Sequence, residues 1–165
     1  MLLKFLLGIA MVAFTTFCAY LLAKKFRQRK LFFSQLKEFN ERFLNEITYY
    51  RRPIAVFASE YSYEGEFHQV LLSFFHAIDE RSPAERFFLD EKEFSFLSPD
   101  ERIFIENYFQ MLGKGDTLSQ KGYFSSVKDS IGKLQNSTES ECKKYGDLYT
   151  KIGFLCGLLI LILIA

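Results

Sequence analysis

The chain has 165 residues, 49% of them apolar and 25% charged, with a formal net charge of +1. Averages of that kind describe one ordinary soluble domain, but residues 1–23 and 152–165 hold a single charged side chain, Lys4, and the other 128 residues carry 40 of the 41 charges. A polar middle between two membrane-grade ends excludes a freely soluble globule, and too little apolar sequence remains for a multi-span transporter.

The first apolar stretch, Phe5 to Ala23, is 19 uncharged residues long. As a helix it extends roughly 28 Å, close to the roughly 30 Å of a bilayer core, so residues 5–23 are expected to span behind a short external N-terminus, residues 1–4. A cleaved signal peptide is the competing reading. The run is too long for one, lacks a small-x-small cleavage site, and ends in the stop-transfer cluster Lys24, Lys25, Arg27, Arg29 and Lys30. A lipoprotein site at Cys18 is excluded by the bulk of Phe17 before it.

Those five cations also set orientation, because cytoplasmic flanks retain Lys and Arg. Lys143, Lys144 and Lys151 precede the second apolar stretch, so both spans have their basic side toward the middle. The expected topology is two spans in the cell membrane with both termini outside and residues 24–148 in the cytoplasm. The same cluster is a topology and lipid anchor, drawing anionic membrane lipid at about 1 kcal/mol per cation. A topology determinant without a specific lipid partner is the plainer alternative.

Between residues 24 and 151 the 20 basic and 20 acidic residues balance, which argues against nucleic acid as a partner. Phe32, Leu36, Phe39, Phe43, Ile47 and Tyr50 recur at helical spacing, one stripe continuing from the first span until Pro53 interrupts it. A short helix is predicted over Ile54–Tyr61 and another over Glu66–Glu80. Ser82-Pro83-Ala84-Glu85 and Ser98-Pro99-Asp100-Glu101 repeat one start signal: Ser caps, Pro fits the first turn, and Glu returns a bond to the Ser amide. The helix after Ser98 ends at Leu112, with Gly113 as a left-handed C-cap.

Asp116 then caps a last helix with Phe124, Val127, Ile131, Leu134, Tyr145 and Leu148 on one face, and with bends expected at Gly122, Gly132 and Gly146. It is expected to run into the second apolar stretch. Ile152–Ala165 has 14 residues, and counting from Tyr149 with Lys151 snorkelling gives 17, the lower edge of the spanning range. A transmembrane helix over 149–165 follows; a C-terminal core helix is the alternative. Thr15, Ala19 and Ala23 line one side of the first span, and Gly153 and Gly157 form a GxxxG step in the second. Small residues at similar depth predict close helix packing there.

No five-residue run alternates as a strand would. The fold class is therefore all-α, an antiparallel helical bundle with N-terminal and C-terminal transmembrane helices. Sixteen of the 20 Phe residues lie in the middle segment, with adjacent pairs at Phe32-Phe33, Phe74-Phe75 and Phe87-Phe88. Neighbours on a helix are about 100° apart, so either some of these rings form an exposed aromatic interface or the core is unusually wide.

Catalytic signals are weak. His68 and His76 have no metal-ligand spacing around them, Gly113-Lys114-Gly115-Asp116 lacks the GxxxxGK[ST] pattern, and Asp90-Glu91-Lys92-Glu93 is a solvated charge run. Cys18, Cys142 and Cys156 show no paired spacing. No enzyme activity, cofactor, metal or small-molecule substrate is expected; a membrane hydrolase using His68 or His76 is the remote alternative.

Several segments together resemble one family: an N-terminal span, Leu36-Lys37-Glu38 leading to Glu46-Ile47-Thr48-Tyr49, Pro53-Ile54, the turn Leu112, Gly113 to Asp116, and Lys144-Tyr145 before a Gly-rich apolar end. The chain resembles stage III sporulation protein AB over essentially its whole length. That resemblance implies a subunit of the channel between mother cell and forespore, similar to the inner-membrane platform protein of type II secretion. It implies a place in the mother-cell membrane facing the forespore, with a cytoplasmic secretion-type ATPase, stage III sporulation protein AA, and other channel subunits as partners. A generic membrane-tethered adaptor shares every feature read from the residues alone.

Overall fold

The computed structural model describes residues 2–50, 52–79 and 88–164. Among them the chain is helical with no strand: α1 (Leu2–Asn45), a π turn (Glu46–Tyr50), α2 (Ile54–Glu60), α3 (Gly65–Asp79), α4 (Pro99–Met111), α5 (Thr117–Glu141), a second π turn (Cys142–Gly146) and α6 (Asp147–Ile164). The all-α class stands. The start signal at Ser82-Pro83-Ala84-Glu85, and Phe87, lie outside the described residues. Residues 1–30 and 136–165 form one compact unit and residues 31–135 another.

The larger unit, residues 31–135, is an aromatic bundle. Phe32, Phe33, Leu36, Phe39, Phe43 and Ile47 turn one face of α1 and its π turn into the core. Phe67, Val70, Leu71 and Phe74 of α3, Ile105, Tyr108 and Phe109 of α4, and Phe124 and Ile131 of α5 meet them there. Phe39 has six ring neighbours, Phe43, Phe57, Tyr63, Phe67, Tyr108 and Phe109, with centroids 5.6–6.5 Å away. Most sit edge-on or tilted, the arrangement that ring quadrupoles favour. Both members of the Phe32-Phe33 pair are buried, which is the wide core; Phe75 is half-buried and Phe88 is exposed.

One polar group is built into this core. Asn40 is 1% exposed; its Nδ2 donates to the Phe124 carbonyl at 3.2 Å and its Oδ1 accepts from the Tyr108 hydroxyl at 3.1 Å. A buried amide without partners would be costly. Satisfied in this way, it ties α1, α4 and α5 into one register. Burial also raises the Tyr108 hydroxyl well above the ordinary tyrosine range.

Local signals fix the ends of several helices. Ser98 and Glu101 form the reciprocal capping box, the Glu101 amide donating to Ser98 Oγ at 3.3 Å and the Ser98 amide donating to Glu101 Oε2 at 2.8 Å. Gly113 at φ +75° leads the chain out of α4, a conformation that a residue with a Cβ resists. Asp116 Oδ1 accepts from the Ser119 amide at 2.9 Å, and these Ser119 bonds hold its carboxyl below the ordinary range.

Two sequence expectations are corrected by the π turns. The α1 stripe stops at Ile47, and Tyr49 and Tyr50 are exposed, 75% and 67%. A π turn closes i→i+5 bonds, so the 100° step of an α-helix no longer predicts the face. The last helical stretch is likewise not one α-helix: it passes through Cys142–Gly146, and Leu148 beyond it is exposed. Gly122 and Gly132, where bends were expected, lie inside an uninterrupted α5 with no atom near a built Cβ.

Candidate functional site

The π turn after α1 and the glycine turn before α5 come together in the bundle unit. They border a cavity of about 320 Å³ with Phe43, Ile47 and Ile54 as its apolar floor. Glu46 and Arg52 form one wall, and Gly113, Thr117 and Gln120 face it.

The wall is a closed ion pair. Glu46, 4% exposed, accepts from Arg52 three times: from the backbone amide at 3.1 Å, Nε at 2.9 Å and Nη2 at 2.6 Å. Arg52 Nη1 pairs with Glu60 at 2.8 Å, and its guanidinium lies 5.3 Å from the centre of the Tyr50 ring. The hydrogen bonds from Arg52 hold the Glu46 carboxyl below its ordinary value of 4.5. This pair ties Arg52 back to the π turn just before Pro53, and the Arg52–Glu60 pair carries the clasp across Pro53 to α2. With its charges matched to one another, the wall offers no open valence to an ionic ligand, and the floor suits an apolar side chain.

This clasp carries a prediction. Glu46→Gln removes the charge from three hydrogen bonds and is expected to lower stability by about 1–3 kcal/mol at neutral pH. A carboxyl whose folded pKa is depressed stabilises above its unfolded value and loses that contribution as pH falls through the folded one. Chemical denaturation of the two proteins at pH 7 and near pH 3 is expected to show their difference shrinking at the acid pH; a gap that stays constant would show that the Glu46 charge is not its source.

In the smaller unit, the N-terminal part of α1 and α6 lie against one another with side chains of minimal size between them. A Cβ built at Gly153 would overlap the Ala19 Cβ and lie 3.1 Å from the Thr15 carbonyl oxygen. One at Gly157 would lie 2.6 Å from Thr15 Oγ1 and 2.9 Å from Val12 Cα. Ala19 and Ala23 are buried, 7% and 0% exposed. Thr15 Oγ1 is 3.0 Å from the Met11 carbonyl, so its hydroxyl proton stays within its own helix. Further along, Phe26 lies tilted against Tyr145 and stacks with Tyr149, and Arg29 pairs with Glu141. Lys24, Lys25 and Arg27 are exposed, and Lys30 is half-buried.

Helices Gly8–Tyr50 and Thr117–Ile162 are the two that are long and apolar enough to cross a membrane among the described residues. Their outward residues there, such as Phe14, Phe17, Leu22, Leu155, Leu159 and Ile162, are exposed, as the lipid-facing side of a pair of spans would be.

A sequence model of one family, stage III sporulation protein AB, matches the chain over residues 4–165. The chain belongs to the stage III sporulation protein AB family. No curated protein and no solved structure matches it. In this stage III sporulation protein AB family member the match takes in α1 and α6 as well as the bundle. Of the turn Leu112, Gly113 to Asp116, Gly113 lines the cavity, as do Glu46 and Ile47 of the π turn.

The groups that sequence reasoning missed are tertiary. Arg52 as the partner of Glu46, Val12 as the backbone that Gly157 meets, and the approach of Gly8 to Leu161 have no local spacing rule to expose them. His68 and His76 are exposed, and among the described residues no three His, Cys, Asp or Glu side chains stand together in a metal-binding group.

Proposed function

We propose that this sporulation protein is a non-catalytic, membrane-anchored subunit of the channel-like complex between mother cell and forespore. It couples a cytoplasmic secretion-type ATPase, stage III sporulation protein AA, to the membrane assembly. The protein sits in the mother-cell membrane facing the forespore, with residues 24–148 in the mother-cell cytoplasm and both termini on the other side.

The observation that supports this reading most is the family match across residues 4–165, apolar helices included. The geometry adds two supports. Both ends of the chain are apolar helices packed as an antiparallel pair, which suits a part held firmly by the membrane. The bundle unit offers a cavity with an apolar floor and a fixed, neutralised wall, a surface for a protein contact.

Co-purification tests the reading. The full-length chain, tagged and cross-linked in sporulating cells, is expected to recover stage III sporulation protein AA and at least one other channel subunit over an untagged control. Recovery of neither, with another cytoplasmic protein in their place, would favour a generic adaptor.

A further inference from the structure

The smaller unit carries a band of cations whose partner is not assigned by the proposed coupling role. Opposed residues of the helix pair, Ala19 with Gly153, Phe26 with Tyr145 and Arg29 with Glu141, fix its antiparallel register. In that register Lys151 lies level with Tyr20 and Leu21, and Lys144 with Arg27. Lys24, Lys25, Arg27, Lys144 and Lys151 are all exposed, and none pairs with a carboxylate whose side chain is described. Arg29 differs, being held by Glu141, and Lys143 is held by Glu139 at 3.0 Å. Asp147 is the remaining acidic residue of these two segments.

The aromatic residues of the band are placed as those of a membrane interface are. The Arg27 guanidinium lies 5.5 Å from the centre of the Tyr20 ring, and Lys144 Nζ lies 5.0 Å from that of Tyr145. Tyr149 stacks on Phe26 at 6.0 Å. From Lys151 to Lys144 the helical rise is roughly 10 Å. That depth is close to the roughly 5–8 Å of headgroup layer on each side of a bilayer, once flexible lysine stems are allowed to reach. Tyrosines beside cations at that depth form the belt typical of membrane interfaces.

We infer that Lys24, Lys25, Arg27, Lys144 and Lys151 form a binding collar for the headgroups of anionic phospholipid, and that Arg29 serves the helix pair instead. The inference rests on the reading that α1 and α6 span the membrane. Each exposed cation near an anionic surface changes the preference for that surface by about fivefold, and five cations against Asp147 leave the collar strongly positive.

The test uses the full-length chain in nanodiscs of phosphatidylcholine with about one fifth phosphatidylglycerol, with the lipid retained after detergent extraction counted by mass spectrometry. The ratio of retained phosphatidylglycerol to phosphatidylcholine is expected to exceed the input ratio by about fivefold. Replacing Lys24, Lys25, Arg27, Lys144 and Lys151 together by Gln is expected to return the ratio to input, replacing the four lysines by Arg to keep it, and Arg29→Gln to change it by less than about twofold.

An input ratio in the unmodified protein would overturn the collar, as would enrichment that persists in the inserted Gln variant. If that variant fails to insert, the unmodified chain at about 0.5 M salt decides, since screening must remove the enrichment; persistence there overturns it. Flotation with liposomes separates the two readings. A chain that does not float defeats the spanning reading and the collar together, whereas one that floats and shows no preference defeats the collar alone.

Discussion

Replacing Phe39 by Ala is expected to remove about 3–5 kcal/mol of stability from the bundle, the usual cost of an emptied aromatic core site. The ring is 0% exposed, and its six ring neighbours come from α1, α2, α4 and the chain at and before α3. These neighbours are themselves wedged edge to face, so they cannot collapse far into the space, and a domain of this size has only about 5–15 kcal/mol in total. Denaturant unfolding of the full-length protein in micelles, followed by circular dichroism, reads the loss. Phe88, 67% exposed, supplies the contrast: Phe88→Ala is expected within about 0.5 kcal/mol of the parent. Equal losses at the two positions would show that the aromatic cluster is not the core.

Gly→Ala substitutions are expected to divide by sign according to where the glycine sits. At Gly153 and Gly157 the added methyl meets Ala19, Thr15 and the Val12 backbone. None of these can swing aside as the end of a long side chain could, so the helices must part, at about 1–3 kcal/mol per site. At Gly122 and Gly132 nothing lies within 4 Å of the new atom. Removing the glycine there restricts the unfolded chain and favours the helix, with a gain of about 0.4–1 kcal/mol. Thermal midpoints of the four single variants in micelles are expected to fall for the first pair and rise for the second. A fall at all four would mean that helix contact is not what distinguishes them.

Much of the fold was legible because its signals are local. Ser98-Pro99-Asp100-Glu101 contains its own capping partners, Gly113 marks a turn that needs positive φ, and the apolar steps from Phe32 to Ile47 follow one helical period. The spacing of Thr15 and Ala19 and of Gly153 and Gly157 was likewise visible, because small side chains at intervals of four mark where two backbones can approach. What the spacing could not supply was the register of the pair, nor the backbone of Val12 as the limit on Gly157, since these depend on the opposite helix.

The cavity was not legible, although its edges were. Glu46 and Arg52 stand six apart, a spacing that no single α-helix brings together, and they meet where the chain leaves α1 through the π turn. Asn40 is a polar residue within an otherwise apolar stripe, and nothing local marks it as part of the core. Its burial depends on Tyr108 and the Phe124 carbonyl, supplied from α4 and α5. Neither Glu46–Tyr50 nor Cys142–Gly146 carries a local signal for a π turn, although the bend expected at Gly146 falls at the end of the second.

Coupling to a cytoplasmic ATPase requires the bundle to lie on the cytoplasmic side of the membrane, and Cys142 reports that side directly. It is half-buried at the second π turn, whereas Cys18 and Cys156 lie within the apolar helices. A protein with Ser at positions 18 and 156, made in growing cells, is treated with a membrane-impermeant thiol reagent before or after lysis. Cys142, and a second reporter introduced by Ser125→Cys on the exposed side of α5, are expected to stay unlabelled in intact cells and to react once the cells are opened. Labelling of either in intact cells would place the bundle outside, beyond the reach of a cytoplasmic ATPase, and would contradict the coupling role.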